Sequence, residues 1–155
     1  TGDDKFIYNI IGKWYTMAKK ILVMGLPGAG KTTLANKLKQ KLSSAEHFNA
    51  DRIRAEYDDW DFSEKGRLRQ TNRMIILAQE SKKKWAILDF VCPLNEYRNL
   101  VESDIIIWMD TIKSGRYDDT NALFEEPNTT QYNYRFTDLD SDTQTTMIVN
   151  KLEGK

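Results

Sequence analysis

Cysteine, histidine and proline are scarce in this chain: one, one and three among 155 residues. The lone Cys92 excludes an internal disulfide framework and fits a reducing compartment. The lone His47 carries no partner signal, and we expect it to be structural. Net charge is missing too, since 23 basic residues balance 23 acidic ones. That argues against a long nucleic-acid partner, while a local basic patch for phosphate stays compatible with it. No apolar run approaches the roughly 18 to 20 residues needed to cross a bilayer, and the opening "TGDD" is unlike a secretory leader. We therefore expect a cytoplasmic protein with no membrane partner. Repeats and low-complexity tracts are absent as well, and the length suits one domain around one core.

What is present is an alternation of apolar runs and amphipathic stretches. Lys20 to Met24, "HFNA" up to Ala50, "WAILDF" and "DIIIWMD" read as strands, the last two apolar throughout, as strands covered on both faces are. "YNYRFTDL" alternates like an edge strand. Between them, Thr32 to Leu42 places Leu34, Leu38 and Leu42 on one helical stripe. "DRIRAEY" opens another helix that "DDWDF" interrupts, and Ser63 caps a long helix expected to reach about Lys83. A short helix over Leu94 to Glu102 and a closing helix over Asp142 to Leu152 complete the pattern, with Thr111 to Gln131 mostly loop. Strands alternating with helices predict an α/β domain, a mainly parallel sheet wrapped on both faces.

One stretch carries chemistry on its own. "GLPGAGKTT", Gly25 to Thr33, fits G-x-x-x-x-G-K-[ST] and lies between an apolar strand and an amphipathic helix, the context this phosphate-binding loop requires. Gly25, Gly28, Ala29 and Gly30 would turn backbone N–H groups onto phosphate oxygens, with the helix dipole behind them. Lys31 would reach the β and γ phosphates, Thr32 would ligate Mg²⁺, and Thr33 continues the cradle. ATP and Mg²⁺ are thus the expected cofactors.

Two aspartates follow strands, and in open α/β sheets the carboxyl ends of strands face the ligand crevice. Asp89 ends "AILD", and a carboxylate there commonly organises Mg²⁺. Asp51 follows the second strand, three residues before Arg54 and on one helical face with it. That pairing suits a base that takes a hydroxyl proton beside a cation, although a plain helix cap is the simpler role for Asp51. Sequence alone leaves the two aspartates interchangeable; we expect Asp51 and Lys31 as catalytic residues, and Thr32 and Asp89 at the metal. Arg67, Gln70 and Arg73 recur at spacing three along the long helix, which by itself describes a solvated stripe.

From Lys20 to about Pro127 the chain resembles the adenylylsulfate kinases. "GLPGAGKTTLANKL" is similar to their phosphate loop, and "NADRIR" to D-G-D-N-[IV]-R. "DFSEKGRLRQTNR" is similar to G-F-S-x-x-D-R-x-x-N-x-x-R, and "DFVCPLNEYR" to S-F-I-S-P-[YF]-R-x-x-R. The resemblance implies a three-layer P-loop fold with a five-stranded parallel sheet in the order 2-3-1-4-5. It also implies transfer of the γ-phosphate of ATP to the 3′-hydroxyl of adenylylsulfate, in sulfate assimilation. Arg54, Phe62, Arg67, Gln70 and Arg98 would then surround that small anionic acceptor, with Phe62 offering its ring to the adenine. The chain departs from the pattern at Asn49, Arg52, Gln70 and Asn95. Asp89 stands where the family has a small hydroxyl residue. In place of the lysine-rich lid it has "KSGRYDDTNALFEEP", leaving only Lys113 and Arg116 as lid cations.

"MAKKILVMG" from Met17 reads like a protein start. We therefore expect the kinase domain to span 17–155, with 1–16 as an extension of unassigned role: a strand or helix added to the core, or an upstream segment. Two other functions fit the same loop. A 5′-hydroxyl kinase of polynucleotides or nucleosides also places Asp and Arg three apart after the second strand, and a non-catalytic ATP-binding regulator would keep the loop without turnover.

Overall fold

The computed structural model describes residues 6–8, 14–115 and 117–154. Strands β1 (Phe6–Tyr8) and β2 (Trp14–Thr16) pair antiparallel as a small sheet of their own. The segment set aside in the sequence thus contains a two-stranded ribbon. Strands β3 (Lys19–Met24), β4 (Ala45–Asn49), β5 (Trp85–Asp89), β6 (Ile105–Met109) and β7 (Tyr134–Phe136) form the main sheet. Its order is β4-β5-β3-β6-β7, parallel throughout. Counted from the first strand of the sheet, that is 2-3-1-4-5, as the resemblance implied.

The pleat sends alternate residues of β3 to opposite faces. Ile21 and Val23 pack with Leu34, Ala35 and Leu38 of α1 (Lys31–Lys41) and with Ile148 and Val149 of α6 (Ser141–Glu153). Leu22 and Met24 pack with Ile53 of α2 (Ala50–Glu56), Met74 and Ala78 of α3 (Glu64–Glu80), and Tyr97 and Val101 of α4 (Asn95–Val101). Ile21, Leu22, Leu34, Leu38, Met74, Ile87 and Leu88 are fully buried, each worth about 1.5 to 3 kcal/mol of transfer from water. β3 is the axis of this three-layer sandwich, which puts the phosphate-loop turn at the centre of the sheet's carboxyl edge.

Two elements differ from expectation. α3 stops at Glu80 rather than near Lys83, because Ser81 is extended and buried, with its hydroxyl on Glu46 Oε1 at 2.7 Å. Tying that residue to β4 turns the chain down into β5. The stretch expected as loop also contains α5 (Asp118–Leu123). Asn121 holds it by accepting from the Gly115 N–H at 2.7 Å and donating to the Gly115 carbonyl at 3.1 Å. Among the described residues no helix is long and apolar enough to cross a membrane.

Candidate active site

The β3–α1 turn is shaped by glycines in the left-handed half of backbone space. Gly25, Gly28 and Gly30 have φ of 150°, 89° and 94°. At Gly25 space matters as well: a Cβ there would lie 2.6 Å from the Met109 carbonyl oxygen. The loop therefore lies flush against the end of β6. Ala29 is fully buried; its N–H bonds the Leu26 carbonyl, and its own carbonyl accepts from Thr111 Oγ1 at 2.8 Å. Lys31 is buried and donates to the Leu26 carbonyl at 3.0 Å, back across the loop it serves. Burial lowers its pKa, and the charges of Asp89 and Asp51 oppose that shift. Thr32 and Thr33 are exposed at the start of α1.

Behind the loop lies a polar cluster built on the buried Asp89 and His47. Asp89 Oδ2 accepts from Thr32 Oγ1 at 2.8 Å, His47 Nε2 at 2.9 Å and Asn49 Nδ2 at 3.0 Å. Asn49 and Asp89 face each other in the β4–β5 register, so an amide and a carboxylate share the floor of the crevice. Burial works to raise the Asp89 pKa, but the hydrogen bonds from His47, Asn49 and Thr32 outweigh it and hold the carboxyl below its usual value. His47, which showed no partner in the sequence, is thus bonded at both nitrogens, the other to Asn36 Oδ1 at 3.1 Å. A period-two signal was there to be read, since residues 47 and 49 lie on one face of a strand.

Asp51 sits one residue into α2. The cap of that helix is Asn49, whose Oδ1 accepts from the Arg52 N–H at 2.9 Å. Capping is therefore not the work of Asp51. Its carboxylate is exposed, with no hydrogen-bond partner among the described residues, yet its charge is felt at Lys31 and at Arg54.

The side chains assigned to the acceptor form a second group. Arg54 is buried and donates through Nη1 to the carbonyls of Asp59 and Asp61 at 3.0 and 3.2 Å, with its guanidinium 4.3 Å from the centre of the Phe62 ring. Arg67 donates to the Phe62 carbonyl at 2.9 Å and lies 5.6 Å from the same ring. Phe62 itself is 50% exposed. Gln70 is buried, bonds the Ala50 carbonyl at 3.0 Å and accepts from Arg73, bracing α3 against the residue before Asp51. Arg98 is buried too, and its donors reach the carbonyls of Cys92, Pro93 and Glu125 and the side chain of Asn95. It pins the β5–α4 loop to the segment after α5. Asp59, which sequence reasoning passed over, takes Arg69 in a two-pronged pair and Arg73 beside it. Of the lid cations, Lys113 is paired with Asp110 at 3.1 Å, and Arg116 lies outside the described residues.

A loop of backbone donors and a lysine, set at the centre of a parallel sheet with Asp89 and Asp51 at the ends of the two strands to one side, define a P-loop kinase. The adenylylsulphate kinase family pattern matches residues 17–140, and the chain belongs to that family. It is accordingly a nucleotide-using kinase of small molecules. No curated protein matches the sequence. Among solved structures, the Mycobacterium tuberculosis APS kinase CysC in complex with AMPPNP and APS superposes with a TM-score of 0.73 at 18% identity, over 88% of this chain and 98% of that one. An unliganded sugar kinase from a Janibacter species gives 0.67 at 14% identity, over 88% and 95%. Shikimate kinase from Acinetobacter baumannii in complex with shikimate gives 0.56 at 18% identity, over 89% and 95%. At these identities the likeness is one of fold.

Proposed function

We propose that the kinase domain, residues 17–155, transfers the γ-phosphate of Mg²⁺-ATP to the 3′-hydroxyl of adenylylsulfate. The observation that carries this reading is a half-exposed Phe62 ring flanked by Arg54 and Arg67, with Asp51, exposed and without a hydrogen-bond partner among the described residues, on the same helix as Arg54. A ring beside guanidinium groups suits an aromatic base with an anionic tail.

The residues present also fit the cofactors. Among the described residues no group of three His, Cys, Asp or Glu side chains could hold a metal ion by itself. That is how Mg²⁺ sites in kinases are commonly built, with one or two protein ligands plus substrate phosphates. Thr32 would ligate the ion, and Asp89 would hold the Thr32 hydroxyl proton so that the lone pair not taken by Asn49 is left for the metal. When bound, Mg²⁺ neutralises charge on the β and γ phosphates. Gly25 to Thr33 bind the phosphates, and Lys31 exchanges the Leu26 carbonyl for a phosphate oxygen. Asp51 takes the acceptor's hydroxyl proton as the oxygen–phosphorus bond forms and the bond to the β-phosphate bridging oxygen breaks, leaving ADP. Arg54, Phe62 and Arg67 hold the acceptor; Gln70 and Arg98 keep the walls of its pocket in place.

The test is ADP formation by the purified protein with Mg²⁺-ATP, with and without adenylylsulfate. Strong stimulation supports the reading. Three exposed aromatic residues, Tyr57, Trp60 and Phe62 at 56, 52 and 50%, favour a second acceptor, a 5′-hydroxyl oligonucleotide whose bases stack on them. Stimulation by such an oligonucleotide but not by adenylylsulfate would select it. ATP bound with no stimulated turnover by either would leave a nucleotide-binding regulator.

A further inference from the structure

We propose that His47 is a positioning residue for the metal side of the site: it fixes the Asp89 carboxylate so that Thr32 keeps a lone pair turned to Mg²⁺. The inference rests on the metal role proposed above for Thr32 and Asp89.

A carboxylate oxygen only accepts, so the 2.9 Å contact from His47 Nε2 to Asp89 Oδ2 puts the shared proton on Nε2. This holds whichever way round the Asn36 amide meets Nδ1. Asn36 comes from α1, one turn beyond Thr32, so the helix that carries the metal ligand also orients the imidazole. The chain of contacts is closed: Asn36 to His47, His47 to Asp89, Asp89 to Thr32, and Thr32 back along α1 to Asn36. Asn49 adds a second brace, donating to both Asp89 Oδ2 and Thr32 Oγ1 at 3.0 and 3.2 Å. Three donors therefore gather on one oxygen of Asp89, while Oδ1 has none among the described residues. That asymmetry fixes which oxygen receives the Thr32 proton. What sets His47 apart is that its partner is the carboxylate that orients Thr32. Groups that orient a metal's ligands typically change metal affinity or activity about 10- to 100-fold when removed.

The experiment measures binding of a fluorescent, non-hydrolysable ATP analogue while Mg²⁺ is varied, and again in excess EDTA, for wild type, His47→Leu and His47→Gln. Thermal melting confirms that each is folded. His47→Leu is expected to raise the Mg²⁺ concentration for half-maximal binding about 10-fold or more, with metal-free binding unchanged. His47→Gln, whose amide can donate in place of Nε2, is expected to recover most of that loss. A folded His47→Leu with an unchanged Mg²⁺ midpoint overturns the proposal, as does equal loss with and without metal. If His47→Leu does not fold, Asn36→Ala at the exposed face of α1 decides: a midpoint raised severalfold supports the role, and an unchanged one removes it. A wild type that binds the analogue equally with and without Mg²⁺ overturns the metal role of Thr32 and Asp89, and that of His47 with it.

Discussion

At the β3–α1 turn, the groups offered to a ligand are backbone N–H groups set by positive-φ glycines, backed by a buried cluster in which each side chain has its partner. Around α2, α3 and α4 they are long side chains carried by those helices, and the arginines among them are already engaged. Arg54 holds the carbonyls of Asp59 and Asp61, Arg69 and Arg73 hold the Asp59 carboxylate, and Arg98 holds three carbonyls. The first region has its backbone turned for phosphate, with Lys31 as the side chain that must leave a carbonyl, that of Leu26. The second commits Nη1 of Arg54, Nε of Arg67 and all three nitrogens of Arg98 to its own walls, so an anionic acceptor shares those donors or takes them from backbone carbonyls. Donors already satisfied give up one hydrogen bond to make another, and the net gain per contact is then small. Nucleotide affinity should thus depend little on the second region, and acceptor selectivity should depend on it heavily.

The largest test of that division is Asp51→Asn. Asp51 is the one assigned acceptor-side group whose carboxylate is unbonded among the described residues, and removing a general base costs roughly 10²- to 10⁴-fold in rate. Steady-state kinetics should show turnover falling by that factor, while titration of the nucleotide gives an affinity within about twofold of wild type. An equal loss of nucleotide affinity would place Asp51 with the metal instead, and the two regions would merge.

A pair of glycines tests the same division through packing. A Cβ on Gly25 would strike the Met109 carbonyl, and one on Gly66 would strike the backbone of Asp61. Each alanine should destabilise the fold by about 1 to 3 kcal/mol, read as a shift in urea midpoint. Their binding effects should separate. Gly25→Ala distorts the cradle and weakens nucleotide binding. Gly66→Ala pushes the Asp59–Asp61 loop off α3 and raises the acceptor KM with nucleotide binding intact. Loss of both ligands in both variants would mean the regions are not independent.

This contrast also explains what could be read from the sequence. Apolar runs at Lys20–Met24, Trp85–Phe90 and Asp104–Asp110 marked the inner strands, and the Leu34–Leu38–Leu42 stripe marked α1, because burial writes itself into residue type. Strand order came through the family resemblance, since periodicity says nothing about which strands are neighbours. The phosphate loop was legible because its glycines are required locally. For His47 only the period-two relation to Asn49 was legible; its bonded partners lie in α1 and β5, and a pairing across elements leaves no trace in spacing. Arg54, Arg67 and Arg98 were visible as charges, but most of their partners are backbone carbonyls, which every residue carries. The six-residue α5 and the stop at Glu80 depend on Asn121 and on Ser81 meeting Glu46, single contacts too weak to show as pattern.

The smallest effect probes how tightly the second region is closed. Cys92 lies after β5 with a positive φ of 46°, fully buried, and its carbonyl accepts from Arg98. Burial pushes its thiol up to about 12 from 9.0, with the Arg98 charge working in the opposite sense. Near pH 8 that leaves about a thousandfold less thiolate than in an exposed cysteine, and thiolate is the reacting form. A disulfide-exchange reagent at pH 8 should therefore label the native protein only as fast as it opens. Folding raises this pKa, so the folded chain holds the extra proton; the contribution is complete below pH 9.0 and is lost as pH climbs toward about 12. Arg98→Met removes the pin between Cys92, Pro93 and Glu125 and should speed labelling with nucleotide affinity unchanged. Acceptor binding to the wild type should slow labelling further if those walls tighten around it. Rapid labelling of the wild type would mean that the second region opens freely, and that its arginines are available to an acceptor without first leaving their carbonyls.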